Sequence, residues 1–168
     1  MEGKMAKPTK YAPLICIIIT IIAILSVLYG IGQMNSLFII IPLLPAIIYE
    51  IYRTEGSSTK FASWFLFFVL LGELALIIFK INFNLAEYLQ TEEKTVSGYL
   101  IPLGDIKTLG PILLAIGSVM LFTKTYGIYT KWLAVIIFIS AFSIIYTLDP
   151  IIFKDLLRST INSLFNKI

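Results

Sequence analysis

From Tyr11 to about Ile31 the chain is an almost unbroken series of Ile, Leu, Ala and Val without a charged side chain. A helix crossing about 30 Å of hydrocarbon needs roughly 20 largely apolar residues. In lipid every backbone polar group must be bonded internally, so helices and closed barrels are the only spanning forms. Lys4, Lys7 and Lys10 precede the run, as they would in a signal peptide. The apolar stretch is longer than a signal core of about 7–15 residues, and no small-x-small cleavage site follows it. It is read as a retained span.

Composition extends that reading to the whole chain. Of 168 residues, 58% are hydrophobic and 14% are charged, against roughly 25% charged in an average soluble domain. A soluble domain needs polar groups over its surface, and this sequence carries too few. Four further apolar runs follow the first, at about 37–52, 61–79, 109–122 and 132–148. The expected fold is all-α: a polytopic bundle of about five membrane-spanning helices over residues 1–148. A separate element is expected over 149–168.

The spans differ in character. The second carries Pro42 and Pro45, which remove two backbone donors and predict a kink near its middle. The third opens on an aromatic cluster, Phe61, Trp64, Phe65, Phe67 and Phe68, in which Trp64 near the entry fits an interfacial aromatic belt. The fourth has Pro111 near its start and Gly110, Ala115, Gly117 and Ser118, small residues that permit close helix approach. Arg53 to Lys60 reads as a polar loop, and Lys80 to Lys107 as the longest extramembrane stretch. In the tail Ile152, Phe153, Leu156, Leu157, Ile161, Leu164, Phe165 and Ile168 recur at spacings of three and four. That periodicity describes an amphipathic helix on the membrane surface or against a partner.

Orientation rests on lysines and arginines. An inside N-terminus places seven on the inner side (Lys4, Lys7, Lys10, Arg53, Lys60, Lys124, Lys131) and six on the outer side. The expected location is the cytoplasmic membrane, multi-pass, with the N-terminus cytoplasmic.

Few residues offer chemistry. There is no histidine, which removes the usual haem and copper or zinc ligand and the usual general base. The single cysteine, Cys16, lies inside the first apolar run and reads as a small buried hydrophobe. No Ser-His-Asp set, metal-ligand cluster, Cys-x-x-Cys or phosphate-binding glycine loop occurs. No catalytic activity, metal or cofactor is expected. The net charge of +3 comes from scattered short clusters, which argues against nucleic acid.

Glu73 is the main polar candidate. It sits about two-thirds along the third span among Leu, Ile and Phe, where a carboxylate is expensive and marks function or assembly. One reading makes it a proton or cation relay. The other has it bonded to Ser118, Ser140, Ser143 or Tyr146 of another span, or to a second subunit. Glu50, beside Tyr49, Tyr52 and Arg53, reads as half of an interfacial ion pair. Glu87, Glu92, Glu93 and Asp105 match no calcium loop and read as a solvated face.

Two function classes follow. The first is a non-catalytic accessory or structural subunit of a larger multi-subunit membrane complex, such as a respiratory or oxidase-type assembly. Its partners would be the lipid bilayer and other membrane subunits, or further copies of the chain. The second is a small proton- or cation-coupled transporter or channel built around Glu73 and the proline-bearing second span.

Overall fold

The computed structural model describes residues 11–54, 56–81, 93–96, 99–102, 106–154 and 158. Five long helices dominate: α1 (Ala12–Gly32), α2 (Leu37–Arg53), α3 (Ser57–Ile78), α4 (Leu109–Lys124) and α5 (Ile128–Leu148). The fold is an all-α helical bundle. The one strand pair among the described residues lies in the long α3–α4 connection, outside the bundle. There β1 (Glu93–Val96) runs antiparallel to β2 (Tyr99–Pro102), with Glu93 opposite Pro102 and Val96 opposite Tyr99.

Local sequence sets the helix ends. α1 stops in a tight turn where Met34 takes a positive φ of 49° and the Asn35 amide donates to Gly30 O. Asn35 Oδ1 then accepts from the Leu37 amide and starts α2. Pro42 and Pro45 lie inside α2 without ending it. Pro45 is exposed and Pro42 half-buried, so the carbonyls they leave free lie off the packed stripe. α3 and α5 each begin four residues earlier than the apolar runs indicate. Ser57 to Lys60 and Ile128 to Lys131 form first turns, a position where polar side chains reach the interface and lose nothing by being helical. Gly56, at φ 113°, makes the reversal into α3.

Helix pairing follows from close approaches. Gly30 of α1 lies against Ile39 of α2, while Cys16 lies near Glu50 and Arg53. Those pairs fix an antiparallel register over most of both helices. In the same way Gly117 lies against Leu66 and Gly110 against Glu73, which sets α4 antiparallel to α3. A Cβ on Gly117 would sit 2.7 Å from Leu66 Cδ2, so a larger residue there would force Leu66 or the helix to shift. α1 packs on α2 and α5, α2 also on α3 and α5, and α4 on α3 and α5. The result is a closed ring in chain order, with α2 touching α5 through the middle.

The interior is Ile, Leu and Ala from all five helices, including Ile19, Ile40, Leu43, Leu66, Leu70, Leu114, Ile137 and Ile144. Lipid tails are as apolar as leucine, so this packing holds the bundle by contact and shape rather than by escape from water. The outer surface is equally apolar, with Leu14, Ile17, Ile18, Ile21, Leu25 and Leu28 of α1 exposed.

After α5, Asp149 Oδ1 accepts from the amides of Ile151 (2.9 Å) and Ile152 (3.0 Å), an N-cap for the helical residues 150–154. Phe153 turns back onto Tyr146, ring centroids 5.4 Å apart. Except for Arg158, the rest of the expected amphipathic tail lies outside the described residues.

Candidate functional site

Two buried polar stations stand at opposite ends of the bundle. The first is at the end where α1 begins. On α2 the buried stripe runs Ile39, Ile40, Leu43, Ala46, Ile47, Glu50, Arg53. The spacing of three and four that buries the aliphatic residues therefore carries the carboxylate and guanidinium inward as well. Glu50 is 0% exposed and Arg53 2%.

Around them stand Cys16 of α1 and Thr130 of α5, both 0% exposed. The Thr130 hydroxyl is the first polar neighbour of the Glu50 carboxylate, and the Cys16 thiol faces Arg53. Neither approach closes to a hydrogen bond at Glu50 Oε1 or Oε2, Arg53 Nε or Nη1, or Thr130 Oγ1. The guanidinium is instead flanked by aromatic rings, its Cζ 5.1 Å from the Tyr129 centroid and 5.9 Å from that of Tyr49. Cation–π attraction at such distances partly replaces hydration. One turn outward, Thr54 Oγ1 donates to Glu50 O at 3.1 Å and lies 3.3 Å from Ser63 Oγ, which ties α2 to α3.

The second station is Glu73, 1% exposed, near the far end of α3. Its carboxyl group packs on Gly110 in the first turn of α4, where a Cβ would come within 2.9 Å of the carboxyl carbon. A helix N-terminus presents unbonded amides and the positive end of its dipole, a favourable place for a carboxylate.

The serines named with Glu73 are placed elsewhere. Ser118 lies eight residues along α4 from Gly110, about 12 Å at 1.5 Å per residue. Its hydroxyl donates to Ala115 O at 2.7 Å. Ser143 donates to Ile139 O at 2.9 Å. Ser140 is buried on α5 beside a groove shared with α1, which Thr20, Ala23 and Trp132 also line. The structure thus joins Glu73 to a helix terminus and leaves the serines bonded within their own helices or in an apolar groove.

The stations are separated by a packed apolar layer. From the level of Ser63 to Glu73 is ten residues of α3, about 15 Å. Leu66, Leu70, Leu114, Ile137 and Ile144, each 0% exposed, fill that interval. Among the described residues no three His, Cys, Asp or Glu side chains converge as a metal site. Glu87, Glu92 and Asp105 lie outside the described residues, as does the side chain of Glu93.

The grooves are on the outside. One of about 360 Å³ runs between α1 and α5, and one of about 350 Å³ between α4 and α5. Between them Trp132, Val135, Phe138 and Ile139 stand outward on α5.

Four helices, Ala12–Gly32, Ser57–Ile78, Ile106–Lys124 (which includes the 3-10 turn before α4) and Ile128–Leu148, are long and apolar enough to cross a bilayer. With an apolar exterior and buried charges, they define a multi-pass helical membrane protein. Comparison with protein-family models, curated proteins and solved structures finds no match.

Proposed function

We propose that this chain is a non-catalytic accessory or structural subunit of a larger integral membrane complex. The observation that carries the reading is the packed layer between the two stations. Carriers and channels need polar or water-lined passages, and their ionisable groups face such a passage. Here Leu66, Leu70, Leu114, Ile137 and Ile144 fill the space between Glu73 and the Glu50–Arg53 pair. The buried charges therefore serve the bundle's own architecture. Its outward face, a ridge on α5 between two grooves, suits another membrane helix.

The reading includes five crossings. α2 has 17 residues, about 26 Å at 1.5 Å per residue. It lies antiparallel to α1 from Gly30 down to Cys16, so it traverses the layer that α1 traverses. The N-terminus is placed on the cytoplasmic side by the lysine and arginine distribution.

The test is extraction from native membranes in a gentle detergent, followed by native mass measurement. Co-migrating chains in fixed stoichiometry are the expected result. A stable lone chain that carries ions across liposomes and loses that flux in Glu73→Gln would overturn the proposal in favour of a carrier.

A further inference from the structure

Two cavities run end to end along the outer seam of α4 and α5. One of about 190 Å³ is lined by Ser118, Phe122 and Ala134, and one of about 350 Å³ by Ile112, Ala115 and Phe142. Val119 and Phe138 line both, so the two form one continuous groove. Its depth comes from the sequence: Ala115, Ser118 and Ala134 are small and buried, while Val119 and Phe138 stand outward beside them. Ser118 is the one polar residue of the lining, and its hydroxyl already donates to Ala115 O at 2.7 Å. The groove therefore suits hydrocarbon. From Ile112 to Phe122 it follows α4 for ten residues, about 15 Å at 1.5 Å per residue. That is half of about 30 Å of hydrocarbon, the depth filled by one acyl chain of a single leaflet.

Cations stand at the mouth nearest the start of α5. Lys131 Nζ lies 5.4 Å from the ring centroid of Phe122, which lines that end of the groove. Lys124 is exposed in the last turn of α4, two residues beyond Phe122. The described carboxyl groups do not neutralise them, because Glu50 is sealed in the bundle and Glu73 and Asp149 lie at the opposite end. Basic sites between membrane helices recognise anionic lipid headgroups. We infer that the α4–α5 groove seats one acyl chain of an anionic phospholipid, with its headgroup held at Lys124 and Lys131. A neutral lipid matches the groove but leaves both ammonium groups without a counter-charge, and a soluble anion matches the lysines but leaves the groove unfilled. The seated chain covers one flank of the α5 ridge, and the α1 flank, with Trp132 and Ile139, stays open to a partner helix. The inference holds for a lone chain as well as for a subunit.

The full chain in a non-ionic detergent is titrated with dioleoyl phosphatidylglycerol or dioleoyl phosphatidylcholine, and bound lipid is counted by native mass spectrometry. One phosphatidylglycerol per chain is expected, held about five- to thirty-fold more tightly than phosphatidylcholine, because each lysine near anionic lipid contributes about fivefold. Lys124→Gln with Lys131→Gln should abolish that preference. Lys80→Gln with Lys154→Gln, exposed at the opposite end, should leave it unchanged. Val119→Trp fills the groove from an exposed position and should displace the lipid with both lysines in place. No preference for phosphatidylglycerol, a preference that outlasts the loss of Lys124 and Lys131, or equal losses from the two lysine pairs would overturn the site. So would a preference that survives in Val119→Trp, which would mean attraction of the headgroup alone.

Discussion

Substituting Gly117 by alanine tests the α3–α4 contact with a single methyl group. The new Cβ would lie 2.7 Å from Leu66 Cδ2 and 3.2 Å from both Leu66 Cγ and Phe65 Cδ1. Ordinary contact begins near 3.4 Å, so α3 and α4 must separate by several tenths of an ångström or Leu66 must move. Leu66 is 0% exposed and has little room to turn. Overpacking of this kind costs about 1–3 kcal/mol. Against it stands the gain of replacing glycine inside a helix, about 0.5–1 kcal/mol. Gly72 supplies the control, because a Cβ there meets nothing within 4 Å. Gly72→Ala should keep the helix gain alone, leaving the two variants about 1–3 kcal/mol apart, roughly five- to 150-fold in the unfolding equilibrium. The assay is reversible unfolding in mixed micelles with increasing SDS, read by the fluorescence of Trp64 and Trp132. Equal midpoints for Gly117→Ala and Gly72→Ala would refute the close packing of α4 on α3.

Gly110→Ala should destabilise the bundle by displacing the Glu73 carboxyl group, and Glu73→Ala in the same chain should recover part of the loss. The double-mutant cycle in the same SDS titration should give a coupling of about 0.5–3 kcal/mol, and additive effects would count against the contact. Glu50→Leu alone leaves Arg53 buried without its counter-charge and should cost about 3–5 kcal/mol, whereas Glu50→Leu with Arg53→Leu should cost far less. Equal losses from the single and paired changes would argue that the two groups do not sense each other. Asp149→Ala removes the cap of residues 150–154, worth about 0.5–2 kcal/mol, and should speed amide exchange at Ile151 and Ile152 with little effect on α5.

Much of the bundle is legible in the apolar runs, because a crossing helix needs length and hydrophobicity and little else. The helix starts at Ser57 and Ile128 are less so, since polar first turns look like loop when judged by hydropathy alone. Glu73 stands out as a carboxylate among Leu, Ile and Phe. Its neighbour does not, because a glycine at a helix start carries no hydroxyl or charge that marks it as a carboxylate's neighbour, and cross-helix register is invisible along one chain. Glu50 is harder to place from the sequence. Its place near a span end beside tyrosines suggests the interface, yet it continues the Leu43, Ala46, Ile47 stripe. That periodicity was present in the sequence. What it could not supply was that α1 and α5 flank the α2 end and bring Cys16, Tyr129 and Thr130 over the charges.

The closed ring has a consequence for biogenesis. α1 and α5 are neighbours, although they are the first and last of the five helices to be synthesised. Until α5 arrives, a nascent chain presents one flank of α1 and the α2 charges without the Thr130 and Tyr129 that later cover them. The Glu50–Arg53 pair therefore gains its full cover only when the last of the five helices packs, so its burial depends on completion of the ring.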